Sequence, residues 1–229
     1  MKKKHRPFTR QEVIHYEKKR YKGIDQRLVH ARENHILAQL FKKIDNTPGT
    51  ALDIPCGYGR FSNFLREKGF TPISLDYSYQ MVTRAVEASK NDPGAWGIAA
   101  DAKKNLPFKS NSFDVLFSMR FFHHVHEPDE REFILKEFSR VSQKWIVFSY
   151  YQTSCFHLFQ RRLRKIFNKN QANIKMISRD ELRSLSEKAG LKILRVIPLL
   201  KGIHSQNIAL LSKPSGRKPE RPEPTDPIF

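Results

Sequence analysis

The segment Leu52-Asp-Ile-Pro-Cys-Gly-Tyr-Gly-Arg60 constrains this chain more than any other. An apolar run ends on the carboxylate Asp53 and passes through a turn with glycine at 57 and 59 into a helical pattern. Such a turn lets the backbone bend tightly and approach a ligand with no side chain in between. From Thr50 onward the same theme repeats. Apolar runs at 51–54, 72–76, 95–100, 114–118 and 145–149 read as strands, and helical periods cover 60–68, 79–90 and 129–141. This alternation predicts a mostly parallel sheet with helices on both faces, an α/β fold. A helix over 179–189 then precedes the strands 192–197 and 206–211, which have no helix between them. Two such strands predict an antiparallel hairpin closing the edge of a seven-stranded sheet.

Two details of the glycine turn decide what it can hold. The third glycine of a dinucleotide fingerprint is missing, its place taken by Ser62, and no Gly-Lys-Ser/Thr follows for a phosphate loop. Asp53 adds a sign. A pyrophosphate at about 4 Å from it would be repelled by roughly 4 kcal/mol at an effective dielectric of about 20. S-adenosylmethionine, with a cationic ammonium and sulfonium, would be attracted instead. The second strand ends on Asp76, about 20 residues beyond the turn, where a carboxylate can accept hydrogen bonds from both ribose hydroxyls. Asp101, just beyond the third strand, is placed to meet an adenine edge.

Four segments occur in register: Leu52–Arg60; Ser74-Leu-Asp-Tyr-Ser78 with Met81; Asp101 with 106–114; and Val115-Leu-Phe-Ser-Met-Arg-Phe-Phe-His-His-Val125. Together they resemble the class I S-adenosylmethionine-dependent methyltransferases over residues 50–150. More closely, they resemble the methyltransferase type 11 branch that includes quinone-biosynthesis C-methyltransferases. The resemblance implies a Rossmann-like fold with S-adenosylmethionine as cofactor. By position it assigns Asp53, Gly57 and Gly59 to the methionine end and Asp76 to the ribose. Tyr77 and Met81 would flank adenine, Asp101 and Ala102 would meet its edge, and Met119 and Arg120 would lie along the cofactor. Pro55, within the cofactor turn, stands where the family usually has glycine. Proline fixes φ and removes an N–H donor, so the turn is expected to survive with weaker cofactor affinity. That departure keeps a noncatalytic binding protein of the same fold open as an alternative.

Methyl transfer is an in-line displacement, so positioning the acceptor carries most of the catalysis, and an oxygen or nitrogen acceptor can need a base. Candidates stand after the fourth and fifth strands: His123, in a His-His pair, and Tyr150. No metal site is expected, because Cys56 and Cys155 have no Cys-x-x-Cys partner, and a reducing cytoplasm suits two such cysteines.

The formal net charge of +19 points to an anionic partner: a phosphorylated substrate, lipid headgroups or nucleic acid. Within 155–178, Phe156, Phe159, Leu163 and Ile166 fall on one helical face, largely surrounded by Arg161, Arg162, Arg164 and Lys165. A basic amphipathic helix of this kind reads as a membrane-surface element or an anion clamp, and in the resembled family this insertion often lies over the substrate pocket. Arg161, Arg162 and Arg164 are therefore the expected acceptor contacts. The expected acceptor is a small or lipid-linked, anionic molecule, with peripheral contact to an anionic membrane face. RNA is the alternative that the charge also admits, although charge alone confers no specificity. A dinucleotide oxidoreductase is the remaining reading.

Residues 1–45 read as a basic helical extension whose Ile36, Leu37, Leu40, Phe41 and Ile44 recur at helical spacing. Residues 46–212 read as the catalytic domain, and 213–229 as a disordered tail rich in proline and charge. No apolar run approaches the roughly 20 residues of a transmembrane helix, and none follows the basic start as in an export signal.

Overall fold

The computed structural model describes residues 8–19, 23–45, 48–89, 94–153, 175–201 and 204–214. Its centre is a seven-stranded sheet. In chain order the strands are β1 (Gly49–Asp53), β2 (Phe70–Asp76), β3 (Trp96–Ala99), β4 (Phe113–Ser118), β5 (Ser142–Tyr151), β6 (Lys192–Pro198) and β7 (Gln206–Ser212). Their spatial order is β3-β2-β1-β4-β5-β7-β6, with the first five parallel and β7 antiparallel to both neighbours. The α/β architecture and the terminal antiparallel hairpin expected from the sequence are both present. Strand order reverses between β1 and β4, and doubly wound sheets bind ligands outside the carboxyl ends of their strands at such a switch.

The hairpin enters the sheet with its second strand inside. All seven residues of β7 are buried, whereas β6 exposes Lys192, Leu194 and Arg195 at the rim. Charges on an edge strand discourage pairing with another chain.

Strand side chains alternate between faces, and each face has its own core. On one, Leu52, Leu116, Ile146 and Phe148 pack with Ile134, Leu135 and Phe138 of α5 (Pro128–Val141) and with Leu182 and Leu185 of α6 (Arg179–Lys188). On the other, Ala51, Val115, Phe117 and Val147 meet Phe61 and Leu65, which flank and enter the short α3 (Ser62–Glu67). They also meet Ile36, Leu37, Leu40 and Phe41 of α2 (Ile24–Phe41). Full burial of each such side chain contributes roughly 2 kcal/mol, so α2 is part of the core.

Helix starts follow local chemistry. Pro128 opens α5 with Asp129 and Glu130 in its first turn, and the Ser178 side chain caps α6 by accepting from the Glu181 N–H at 3.0 Å. Two further helices sit toward the cofactor-turn side: α4 (Tyr79–Glu87) after β2, and α1 (Arg10–Lys19), which packs on α4. The expected basic helix within 155–178 and the tail beyond 214 lie outside the described residues.

Candidate functional site

The turn after β1 is held between its neighbours: Ile54 N–H donates to Phe117 O at 2.9 Å, and Cys56 N–H to Leu75 O at 2.8 Å. Gly57 and Gly59 have φ of +56° and +82°, a region glycine enters at little cost. A Cβ at Gly59 would stand 2.8 Å from Ala85 Cα, so α4 could not approach the turn so closely over any other residue. Pro55, joined to Ile54 by a cis peptide bond, sits in this turn without displacing either glycine from its positive φ.

Two carboxylates meet here. Asp53 is 1% exposed, and its Oδ2 has no hydrogen-bond partner. Burial, and secondarily the nearby Asp76, push its pKa well above the usual carboxylate range, against an opposing pull from Arg60. Asp76 accepts from Gly57 N–H at 3.0 Å and from Ser78 N–H at 2.9 Å. Burial raises its pKa too, while the backbone donors of Ser78, Gly57 and Tyr77 offset part of the rise. A buried carboxylate oxygen without a donor is costly, and a cationic ligand group would relieve it. The residues present therefore fit S-adenosylmethionine better than a phosphate.

The other expected cofactor residues come from adjacent strand ends. Tyr77 is 55% exposed after β2, and Met81 is buried in the first turns of α4. Asp101 accepts from Lys103 N–H at 2.9 Å in a turn after β3, next to the buried Ala102. Met119 and Arg120 are placed differently from a simple cofactor wall. Met119 is buried in the apolar layer beneath α2. Arg120 has φ +57°, donates its N–H to Ser149 Oγ at 2.7 Å and its Nε–H to Glu33 Oε1 at 2.9 Å.

Glu33 is the functional-site residue that sequence reasoning missed. It is fully buried, pairs with Arg60 and Arg120, and accepts from Gln206 Nε2 at 2.8 Å. Burial alone would raise its pKa, but the two arginines hold it below the ordinary value. Arg60 also donates from Nε to His30 Nδ1 at 3.2 Å; burial and then Arg60 lower the pKa of that imidazole. One carboxylate thus ties α2 to the glycine turn, to the end of β4 and to the start of β7. A sequence signal did exist: Glu33 interrupts the apolar stripe of Val29, Ile36, Leu37 and Leu40.

On the β4–β5 side, the rings of His123 and His124 lie 4.0 Å apart, and His123 lies 4.7 Å from Tyr151. Tyr151 in turn lies 5.9 Å from His204. Tyr150, one register step away on β5, instead packs in the core 6.0 Å from Phe148. Its hydroxyl donates to Gln152 Oε1 at 3.3 Å, and burial pushes its pKa up to about 12. That environment suits a wall, not a proton acceptor at neutral pH. Arg131, buried in α5, donates to the carbonyls of Val125 and His126 at 3.0 and 2.8 Å and pairs with Glu181 at 2.7 Å, fixing the loop behind the histidines. Arg161, Arg162 and Arg164 lie outside the described residues. Among the described residues no cluster of metal-ligating side chains occurs, and no helix is long and apolar enough to cross a membrane.

Residues 52–145 match the family model of a methyltransferase domain. Over 92 residues the chain is 34% identical to malonyl-[acyl-carrier protein] O-methyltransferase of Hamiltonella defensa subsp. Acyrthosiphon pisum, a match covering 40% of this chain and 33% of that protein. The chain thus matches about a third of the length of that curated relative. Among solved structures, magnesium protoporphyrin IX methyltransferase from Synechocystis PCC 6803 with bound SAH superposes with a TM-score of 0.69 at 13% identity. That match covers 84% of this chain and 88% of the other. The PH0226 protein of Pyrococcus horikoshii gives 0.64 at 20% identity, covering 81% and 91%. At such identities the likeness is one of fold. Sheet order, glycine turn and family match converge: the chain has the Rossmann-like fold of its solved neighbours, and its residues 52–145 are similar to a methyltransferase domain.

Proposed function

We propose that the chain methylates an anionic small-molecule or lipid-linked acceptor. The observation that carries the cofactor half is the buried, partnerless Oδ2 of Asp53 beside the double-glycine turn. When bound, S-adenosylmethionine supplies a methyl group on a sulfonium, open to in-line attack by the acceptor. Asp53 would offer its carboxylate to the cationic methionine end, and Gly57 and Gly59 would let that end approach the backbone. Asp76 keeps lone pairs for the ribose hydroxyls while its bonds to Gly57 and Ser78 hold it in place. Tyr77 and Met81 would bracket the adenine, and Asp101 with Ala102 would meet its edge. Arg60 and Arg120 together outweigh Glu33 by one positive charge, which favours the methionine carboxylate on that side.

For the acceptor, support comes from the net charge of +19 and from the relative named for a malonyl group, which ends in a carboxylate. Arg161, Arg162 and Arg164 are proposed to contact it, with the protein resting at an anionic membrane face when the acceptor is lipid-linked. Where the acceptor needs a base, His123, whose ring lies 4.7 Å from that of Tyr151, is the candidate. The test is transfer of tritiated methyl groups into fractionated cell extract. Label in acidic small molecules or lipids is the expected result. Label confined to RNA would overturn the acceptor class, and calorimetry showing no S-adenosylmethionine binding would overturn the activity.

A further inference from the structure

Beside the first two helices lies a cavity of about 560 Å³, within the range of roughly 300–1,000 Å³ that takes small ligands. It is lined, among the described residues, mainly by one stripe of α1 and the residue preceding it by two, Phe8, with Gln26 of α2. The opposite stripe of α1 is already committed. Val13 is buried there, Glu17 receives Arg84 Nε–H at 2.7 Å and Nη2–H at 3.0 Å, and Arg10 pairs with Glu87 of α4 at 3.3 Å. The helix is therefore clamped by one side and turns the other toward the cavity.

That second side has the composition of a binding wall. Phe8 is left exposed, and its ring lies 6.0 Å from that of Tyr16. Tyr16 meets Tyr58 edge-on at 6.1 Å, and Tyr58 stands between the two glycines of the cofactor turn. Three aromatic rings thus lead from the cavity to that turn. His15 and the cationic Lys19 line the same space. Glu12 opposes them, but its carboxylate accepts from Thr9 N–H at 2.8 Å and Thr9 Oγ1 at 3.0 Å, which ties it to the start of the helix. On α2, Gln26 lines the cavity, and His30 and Glu33 follow on the same helical face, where Arg60, the residue after Gly59, binds both.

We propose that this cavity is the acceptor pocket and that it takes a flat aromatic body carrying an anionic group, stacked along Phe8 and Tyr16 with its charge toward Lys19. The assignment rests on the methyltransferase reading and adds the class of acceptor to it. Planar rings stack on aromatic side chains with a preference beyond simple area burial, and an anion near Lys19 gains from a charge that pairs with no carboxylate among the described residues.

The probe is 2-naphthoate, titrated by fluorescence into the full chain with and without SAH, alongside the uncharged 2-naphthamide. Naphthoate is expected to bind more tightly than naphthamide, and together with SAH. Lys19→Gln should weaken naphthoate about threefold, as for a solvent-exposed ion pair, and leave naphthamide unchanged. Phe8→Ala should weaken both by about tenfold through lost stacking and burial, with SAH affinity unaltered. Naphthoate affinity indifferent to both substitutions, or naphthoate displaced by SAH, would overturn the pocket. Failure of SAH to bind the unaltered chain would overturn methyl transfer, with the naphthoate titration still deciding whether the cavity binds such anions.

Discussion

Asp53 and Glu33 are both carboxylates buried at the carboxyl end of the parallel strands, yet their environments drive them in opposite directions. Asp53 has an oxygen with no donor, and its pKa is pushed up; Glu33 receives three donors, and its pKa is held down. Depth of burial is therefore not what separates them. The donors around Glu33 are already spent on holding three elements together, whereas Asp53 Oδ2 is engaged with none.

The largest effect expected from breaking this contrast is at Glu33. Glu33→Ala leaves Arg60 and Arg120 without their buried counter-charge and should lower unfolding stability by about 3–5 kcal/mol, read as a shift in the urea midpoint. An unshifted midpoint would mean that the arginines find other partners. Asp76→Ala comes next. It removes two backbone bonds and the ribose acceptor, so cofactor affinity measured by calorimetry should fall about tenfold or more. Unchanged affinity would remove Asp76 from the ribose site.

Asp53→Asn keeps the shape and deletes the charge, and should weaken the cofactor about tenfold with little loss of stability. Here pH sharpens the comparison. Folded Asp53 holds a proton above its ordinary value of 3.8, so its contribution to stability falls as pH rises from there toward the folded value; Asp53→Asn should lack that decline. Cofactor binding should release this proton in the same window, measurable by calorimetry in buffers of different ionisation enthalpy. Glu33 carries the reverse sign. Its stabilisation is fully present above its ordinary value of 4.5 and is lost as pH falls through the lower folded value. Smallest of all is the exposed pair on α1: Arg10→Ala should change stability by no more than about 0.5 kcal/mol in the same urea measurement.

What could be read from the chain beforehand follows the same division. Asp53, Gly57, Gly59 and Asp76 form a local pattern, each at the end of a strand whose apolar run announces it, so the sheet and the turn were legible. Glu33 was not, because its partners lie 27, 87 and 173 residues away. Periodicity marks which face of a helix is buried but does not name the charges that a distant strand will bring to it. Between Tyr150, the candidate named after β5, and its neighbour Tyr151, the sequence alone does not discriminate. Adjacent strand residues face opposite sides, and both are aromatic, so only the register of β5 shows that Tyr151 and not Tyr150 faces His123. Met119 illustrates the same ambiguity after β4. The placement of β7 inside the hairpin did leave a trace, since Lys192 and Arg195 are out of place in an interior strand.

Gln206 gives the Glu33 junction a temporal meaning. On the ribosome, α2 emerges before both arginines, and all three precede β7. Until β7 is made, the junction lacks its amide and the apolar layer under α2 lacks Ile208 and Leu210. The helices that border the cavity thus settle only after β7 is synthesised, and a product halted before residue 206 would carry the glycine turn without a properly seated cover.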